Sequence, residues 1–421
     1  MIKSPCGEIN LNSQKPNSVE EEVLLRCTRN ALKQTDRGEL KELLSNENLR
    51  WTLILKQANK QGVAPLLYQS LKDIKGGLVS AEALGDLKKI YYATLARNIA
   101  FYSELEKILD SFARKGIEVI LLKGAAFATT LYPDIGLRPM KDLDILIHKS
   151  NLEKTKKAVA SLGYSLDPSL LSLIKKDLPV EEYYLLHHPH LPPYYKEKGR
   201  IFLEVHWALT SRTMPFNIET SGLWERSVEA EISGRKTRIL SPEDSLVYMC
   251  THIARHRFSA GLREYHDLLM LTRRAVQWNQ VADMACENNL KTPVYYALLY
   301  SKQLFKIKIP SECVNRLKPS PVREILFKSL TDIDTSRVFA NSESDAGLLI
   351  DLLLIDRPVD QIRFLVGKIL PPTPWMSIKY RAQMTKANIV FYYLRRIGYL
   401  AVAALRYPLL RLIERFSRKR G

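Results

Sequence analysis

The residues from Val119 to His148, VILLKGAAFATTLYPDIGLRPMKDLDILIH, constrain this chain more than any other stretch. Val119-Ile120-Leu121-Leu122 is short, apolar and rich in branched side chains, the pattern of a buried strand. Lys123-Gly124 ends it. Ala125 to Leu131 then reads as a short helix, stopped at Tyr132-Pro133 because proline keeps its predecessor out of the helical region. A turn-rich bridge, Asp134 to Pro139, leads into a second strand, Asp142 to Ile147.

Side chains two apart on a strand share a face, about 7 Å apart along the backbone. Asp142 and Asp144 therefore project together, while Leu143 and Ile145 turn into a core. Two like charges so placed repel unless a cation lies between them. Oxygen-only ligands suit Mg²⁺ (or Mn²⁺), which leave positions open for phosphate and water. The plainer reading of the same D-x-D is a solvated strand edge. Ile201 to Trp207 alternates in the same way, with Glu204 and His206 on one face and Leu203, Val205 and Trp207 on the other. Glu181 to His188 also reads as a strand that pairs with it. A carboxylate on a strand beside the aspartates completes a three-acid cluster, and two cations about 4 Å apart can clamp a phosphoryl group.

The pattern Leu-Lys-Gly, Leu-Tyr-Pro, Leu-Arg-Pro-Met-x-Asp-x-Asp-Ile-Leu and Leu-Glu-Val-His-Trp resembles the uncharacterised nucleotidyltransferase family of the DNA polymerase β superfold. The resemblance implies an α+β fold. A small mixed β-sheet nucleotidyltransferase core would be flanked by N-terminal and C-terminal helical regions, the whole predominantly α. It further implies that Lys123 and Gly124 form the triphosphate turn, that Asp142 and Asp144 are metal ligands, and that Glu204 is the third acid. Two features depart from the superfold. The turn reads Lys-Gly-Ala where Gly-Gly or Gly-Ser is usual, and it lies farther from Asp142 than in most members.

Composition restricts the setting. At 421 residues with 46% hydrophobic content, the chain can bury a large core in two or three domains. Met1 to Gln14 has no apolar run of signal-peptide length. Cys6, Cys27, Cys250, Cys286 and Cys313 are scattered, with no C-x-x-C, so reduced thiols are expected in a cytoplasmic protein. The net charge is +18, and from Arg357 onward 14 Lys and Arg face only Asp360 and Glu414, placing +12 in that segment. Such a surplus suits nucleic acid, an anionic membrane or phosphorylated ligands.

In chain order, residues 1–18 are polar and expected to be disordered, and 19–116 form an N-terminal helical region broken at Gly62 and Gly76-Gly77. The core spans 117–240, with a helix at Leu152–Leu162 stopped by Gly163 and a hairpin turning at Ser233-Gly234. The His187-His188-Pro189-His190 run lacks an acid or cysteine at ligand spacing and is set aside as a metal site. A helical domain follows at 241–370, opened by Ser241-Pro242-Glu243-Asp244 as N-cap and first turn. In it His252 and His256 stand at i, i+4, either chelating a metal or packed as a pair. Arg263 and Asp267 are spaced for an ion pair, with Arg263 a secondary candidate for phosphate contact. A basic helical C-terminal segment occupies 371–421. No run there is long enough to span a bilayer. Beyond Pro408 an amphipathic basic helix can lie on an anionic membrane or dock on the protein itself.

The expected chemistry is transfer of an NMP from an NTP, ATP being the first choice, to an unidentified acceptor with release of pyrophosphate. Arg138 either offsets charge on the leaving pyrophosphate or orients Asp142 or Asp144 through a salt bridge. His206 would contact acceptor or phosphate. The alternatives are a catalytically inactive nucleotide-binding or regulatory protein, and a nucleic-acid-binding or membrane-associated protein acting through the basic C-terminus.

Overall fold

Why residues sixty positions apart meet is answered by strand order. A computed structural model describes residues 18–32, 37–167, 170, 180–196, 201–210, 216, 218–330 and 347–402. Its sheet holds seven strands: β1 (Ile120–Leu121), β2 (Leu143–Leu146), β3 (Ser165–Leu166), β4 (Tyr194–Lys196), β5 (Ile201–His206), β6 (Val228–Ile232) and β7 (Arg235–Ile239). They lie in the order β3-β4-β5-β2-β1-β7-β6. β2 runs parallel to β5 and antiparallel to β1, so the sheet is mixed and β2 sits at its centre. All four residues of β2 are buried, as a central strand covered on both faces requires. The β6–β7 hairpin turns at Ser233 and Gly234, both with positive φ, the geometry of a two-residue turn matched to strand twist.

Helices surround this sheet. Among the described residues five precede it: Val19–Asn30, Arg37–Leu44, Trp51–Lys60, Ala64–Leu71 and Ala81–Arg114. The last is 34 residues long and begins at Ser80, whose hydroxyl accepts from the Ala83 N–H. It packs on β7 and on the Leu152–Ser161 helix. After the sheet, Pro242–Arg255 starts at Ser241, whose Oγ accepts from the Asp244 N–H at 3.0 Å. Val19–Asn30 packs on the Leu262–Leu271 and Lys291–Phe305 helices, so helices before and after the sheet share one continuous apolar core. The architecture is α+β and mainly helical.

Three local readings change. Val180–His187 is a helix, so the partner of β5 on that side is β4. Glu181 and Glu182 favour the positive end of a helix, and Tyr184 stacks on His188 four residues on, at 4.4 Å between ring centroids. The short helix after β1 starts at Lys123 rather than Ala125, taking the Lys-Gly corner into its first turn. The Arg263–Asp267 pair does not form; Arg138 holds Asp267 instead, and Arg263 pairs with Glu264. Among the described residues no helix is long and apolar enough to cross a membrane. The expected disordered start at 1–17 and the basic helix after Pro408 lie outside the described residues.

Candidate active site

The parallel register of β2 and β5 sets Asp144 directly opposite Glu204 and Leu146 opposite His206. In-register partners share a face, so the two acids and the imidazole stand together. His206 Nε2 is 2.9 Å from Asp144 Oδ1 and 3.5 Å from Glu204 Oε2. From the other side Lys123 Nζ approaches Asp144 Oδ1 at 3.3 Å. Lys123 holds φ at +40°, a left-handed conformation uncommon for a side chain of this size. That backbone geometry sits at the end of β1, beside β2, where the ammonium reaches the acids.

The cluster is a balance of buried charge. Burial opposes ionisation of Asp144, but Lys123 and the His206 hydrogen bond outweigh it and hold the carboxyl well below the usual carboxylate range. Glu204 is likewise lowered, with burial opposed chiefly by the hydrogen bond to His206. Burial works against protonated His206, yet its bonds to Asp144 and Glu204 raise its pKa. Lys123 stays charged for the same reason, with Asp144 overcoming burial. Asp142 is different. It lies half-buried just before β2, and burial together with the charge on Asp144 pushes its carboxyl up to about 6.

Ligand atoms of Asp144, Glu204 and His206 lie within 4.8 Å of one another, a spacing that fits a single divalent cation. Two carboxylates and an imidazole form a mixed oxygen–nitrogen set in place of the oxygen-only set expected from the sequence. Asp142 stands outside this close group. His190 joins it: a β-bridge links it to His206, and its Nε2 is 4.0 Å from Glu204 Oε2. Its Nδ1 lies 2.7 Å from the Leu191 carbonyl, which makes Nδ1 the donor and leaves Nε2 with a lone pair toward the acids. Burial drops the His190 pKa to about 4, so the ring is neutral at pH 7. A cavity of about 40 Å³ opens between Lys123, His190, Glu204, His206, Tyr248 and Arg255.

Of the residues singled out in the sequence, Asp144, Glu204, His206 and Lys123 come together. Gly124 and Arg138 lie behind them as packing. A Cβ on Gly124 would meet Arg138 Nη1 at 2.7 Å, so the glycine makes room for the arginine. Arg138 is buried, its Nε and Nη2 donating to Asp267 at 3.0 and 2.7 Å. It therefore braces the loop before the acids against the Leu262–Leu271 helix, in place of the expected contact with pyrophosphate or with Asp142 and Asp144. Arg263 lies apart from the cluster, donating to the Pro139 carbonyl at 3.2 Å. His252 and His256 meet edge to face at 4.8 Å between centroids, and burial lowers both, the behaviour of a packed pair. Tyr248 and Arg255 escaped the sequence reading because they come from a helix whose approach no local pattern encodes. His190 carried a signal in the histidine run itself.

The sequence model of the uncharacterised nucleotidyltransferase family matches residues 47–306, well over half of the chain. The chain belongs to this family. Among solved structures, an antigenic nucleotidyltransferase-like protein from Paracoccidioides brasiliensis is similar at 15% identity. That match covers 54% of this chain and 96% of the other with a TM-score of 0.24. No curated protein matches. Within the uncharacterised nucleotidyltransferase family, the matched span contains every member of the acid cluster.

Proposed function

We propose that this nucleotidyltransferase transfers a nucleoside monophosphate from an NTP, ATP in the first instance, to a hydroxyl-bearing acceptor. The acceptor oxygen forms a bond to the α-phosphorus, the bond from that phosphorus to the bridging oxygen breaks, and pyrophosphate leaves. The acceptor proton passes to a carboxylate. Asp142, half-buried just before β2 and outside the close ligand group, is the carboxylate left for that role. Asp144, Glu204 and His206 would hold a divalent cation, Mg²⁺ or Mn²⁺, and the bound ion would supply positive charge to the phosphates. Lys123 adds a fixed ammonium beside the acids.

The observation that carries this reading is the register pairing of Asp144 with Glu204 under His206 and Lys123. Two buried carboxylates side by side repel, and a packed core does not gather them with an ammonium and an imidazole by default. The test is release of pyrophosphate from NTPs with Mg²⁺ or Mn²⁺ across a panel of hydroxylated acceptors. Asp144→Asn and Glu204→Gln should each lower the rate by more than about a hundredfold, beyond what loss of an outer-sphere partner costs. Turnover equal to wild type in both variants would refute it.

A further inference from the structure

We propose that a second cavity, on the N-terminal side of the acid strand, binds a phosphate-bearing small molecule. It is a cleft of about 410 Å³, a volume suited to a small ligand. The space at the acid cluster is smaller, about 40 Å³. The larger cavity lies between the N-terminal helices and the segment that leads into β2. Pro139 and Lys141 line it, and the next residue is Asp142.

Its chemistry is cationic. Lys60, Arg97, Lys141 and Arg263 face it, against one carboxylate, Glu264. Glu264 is taken by Arg263. Lys60, Arg97 and Lys141 form no ion pair among the described residues. The first turn of the Ala64–Leu71 helix adds to the wall through Ala64 and Pro65, bringing the positive end of its dipole. Several unbalanced positive charges around one concavity focus an attractive potential on anions. A phosphate monoester, with close to two negative charges at neutral pH, matches that surplus better than a single carboxylate does.

As a binding site the cavity stands by itself; as a substrate subsite it rests on the nucleotidyl-transfer reading. The test is calorimetry on the full chain at low salt with tripolyphosphate, ribose 5-phosphate and, as a neutral control, ribose. At least one phosphate should bind while ribose does not. The double variant Lys60→Glu/Arg97→Glu should weaken that binding by about tenfold or more. Both residues are exposed, and Lys60→Gln/Arg97→Gln repeats the comparison without charge reversal. Binding of tripolyphosphate alone identifies the ligand as a nucleotide's phosphate tail; binding of ribose 5-phosphate alone identifies a phosphorylated acceptor. Asp144→Asn should bind as wild type does even where it has lost turnover, so failure of the catalytic reading leaves this result intact. Absence of phosphate binding, or affinity unchanged in both double variants, overturns the proposal.

Discussion

Gly124 shows how one position can be special for a reason beyond the one its sequence suggests. A glycine after a strand and at the head of a helix suggests backbone held open for phosphate. In the structure its missing Cβ leaves space for the Arg138 guanidinium and the Met140 side chain. Replacing a helical glycine by alanine ordinarily stabilises, because the unfolded chain loses freedom. Here the new methyl would lie 2.7 Å from Nη1 of a guanidinium whose Nε and Nη2 are held by Asp267. Gly124→Ala should therefore destabilise, by about 1–3 kcal/mol as for overpacking. Chemical denaturation reads the sign directly, and a stabilised variant would show that the corner is free to take a side chain. The acids themselves were legible at this scale. Alternation along two short strands placed Asp144, Glu204 and His206 on shared faces, and the parallel register did the rest. The Arg138 partner was not legible, since Asp267 lies 129 residues away and nothing local points to it.

Between elements, that same pair joins the loop before β2 to the Leu262–Leu271 helix. Tyr132 completes the junction, donating its hydroxyl to Asp267 Oδ1 at 2.7 Å. Removing one member of a buried ion pair leaves the other charge without compensation, at a cost of about 3–5 kcal/mol, whereas replacing both by apolar groups is close to neutral. Arg138→Met should thus unfold at much lower denaturant than wild type, and Arg138→Met/Asp267→Leu should recover most of the loss. A double variant no more stable than the single ones would mean that the two side chains do not form a unit. Helix boundaries were readable where chemistry marks them, as at Ser241, whose hydroxyl caps the Asp244 N–H. Val180–His187 was misread because its valine and tyrosines favour strands in isolation. The contacts that decide for a helix, such as Tyr184 on His188, exist only once it forms.

Across the whole molecule, segments from within and after the sheet converge on a buried, neutral imidazole. His266 has no exposed surface, and its ring meets both Tyr132 from the core and Phe305 from the C-terminal helices. Its Nδ1 lies 2.9 Å from the Tyr132 hydroxyl, which already donates to Asp267, so Nδ1 carries the hydrogen and Nε2 is left bare. A second proton would sit on Nε2, which is buried without a partner. Burial, with the charges of Arg273 and Arg138 adding to it, accordingly lowers the pKa from 6.5 to about 3. His188 behaves alike, brought down to about 4 mainly by burial. In the unfolded chain both rings titrate near 6.5. Between that pH and the folded value the unfolded state binds the extra proton, so stability falls as the pH drops, by about 1.4 kcal/mol per unit for each ring. The contribution is complete above pH 6.5, and for His266 its loss continues down to about 3. Denaturation of wild type and His266→Gln at a series of pH values separates this ring from the carboxylates, whose loss begins lower. The wild type should lose stability faster than the variant between pH 6 and 4, and curves that stay parallel through that window would show that His266 is free to accept its proton in the folded state.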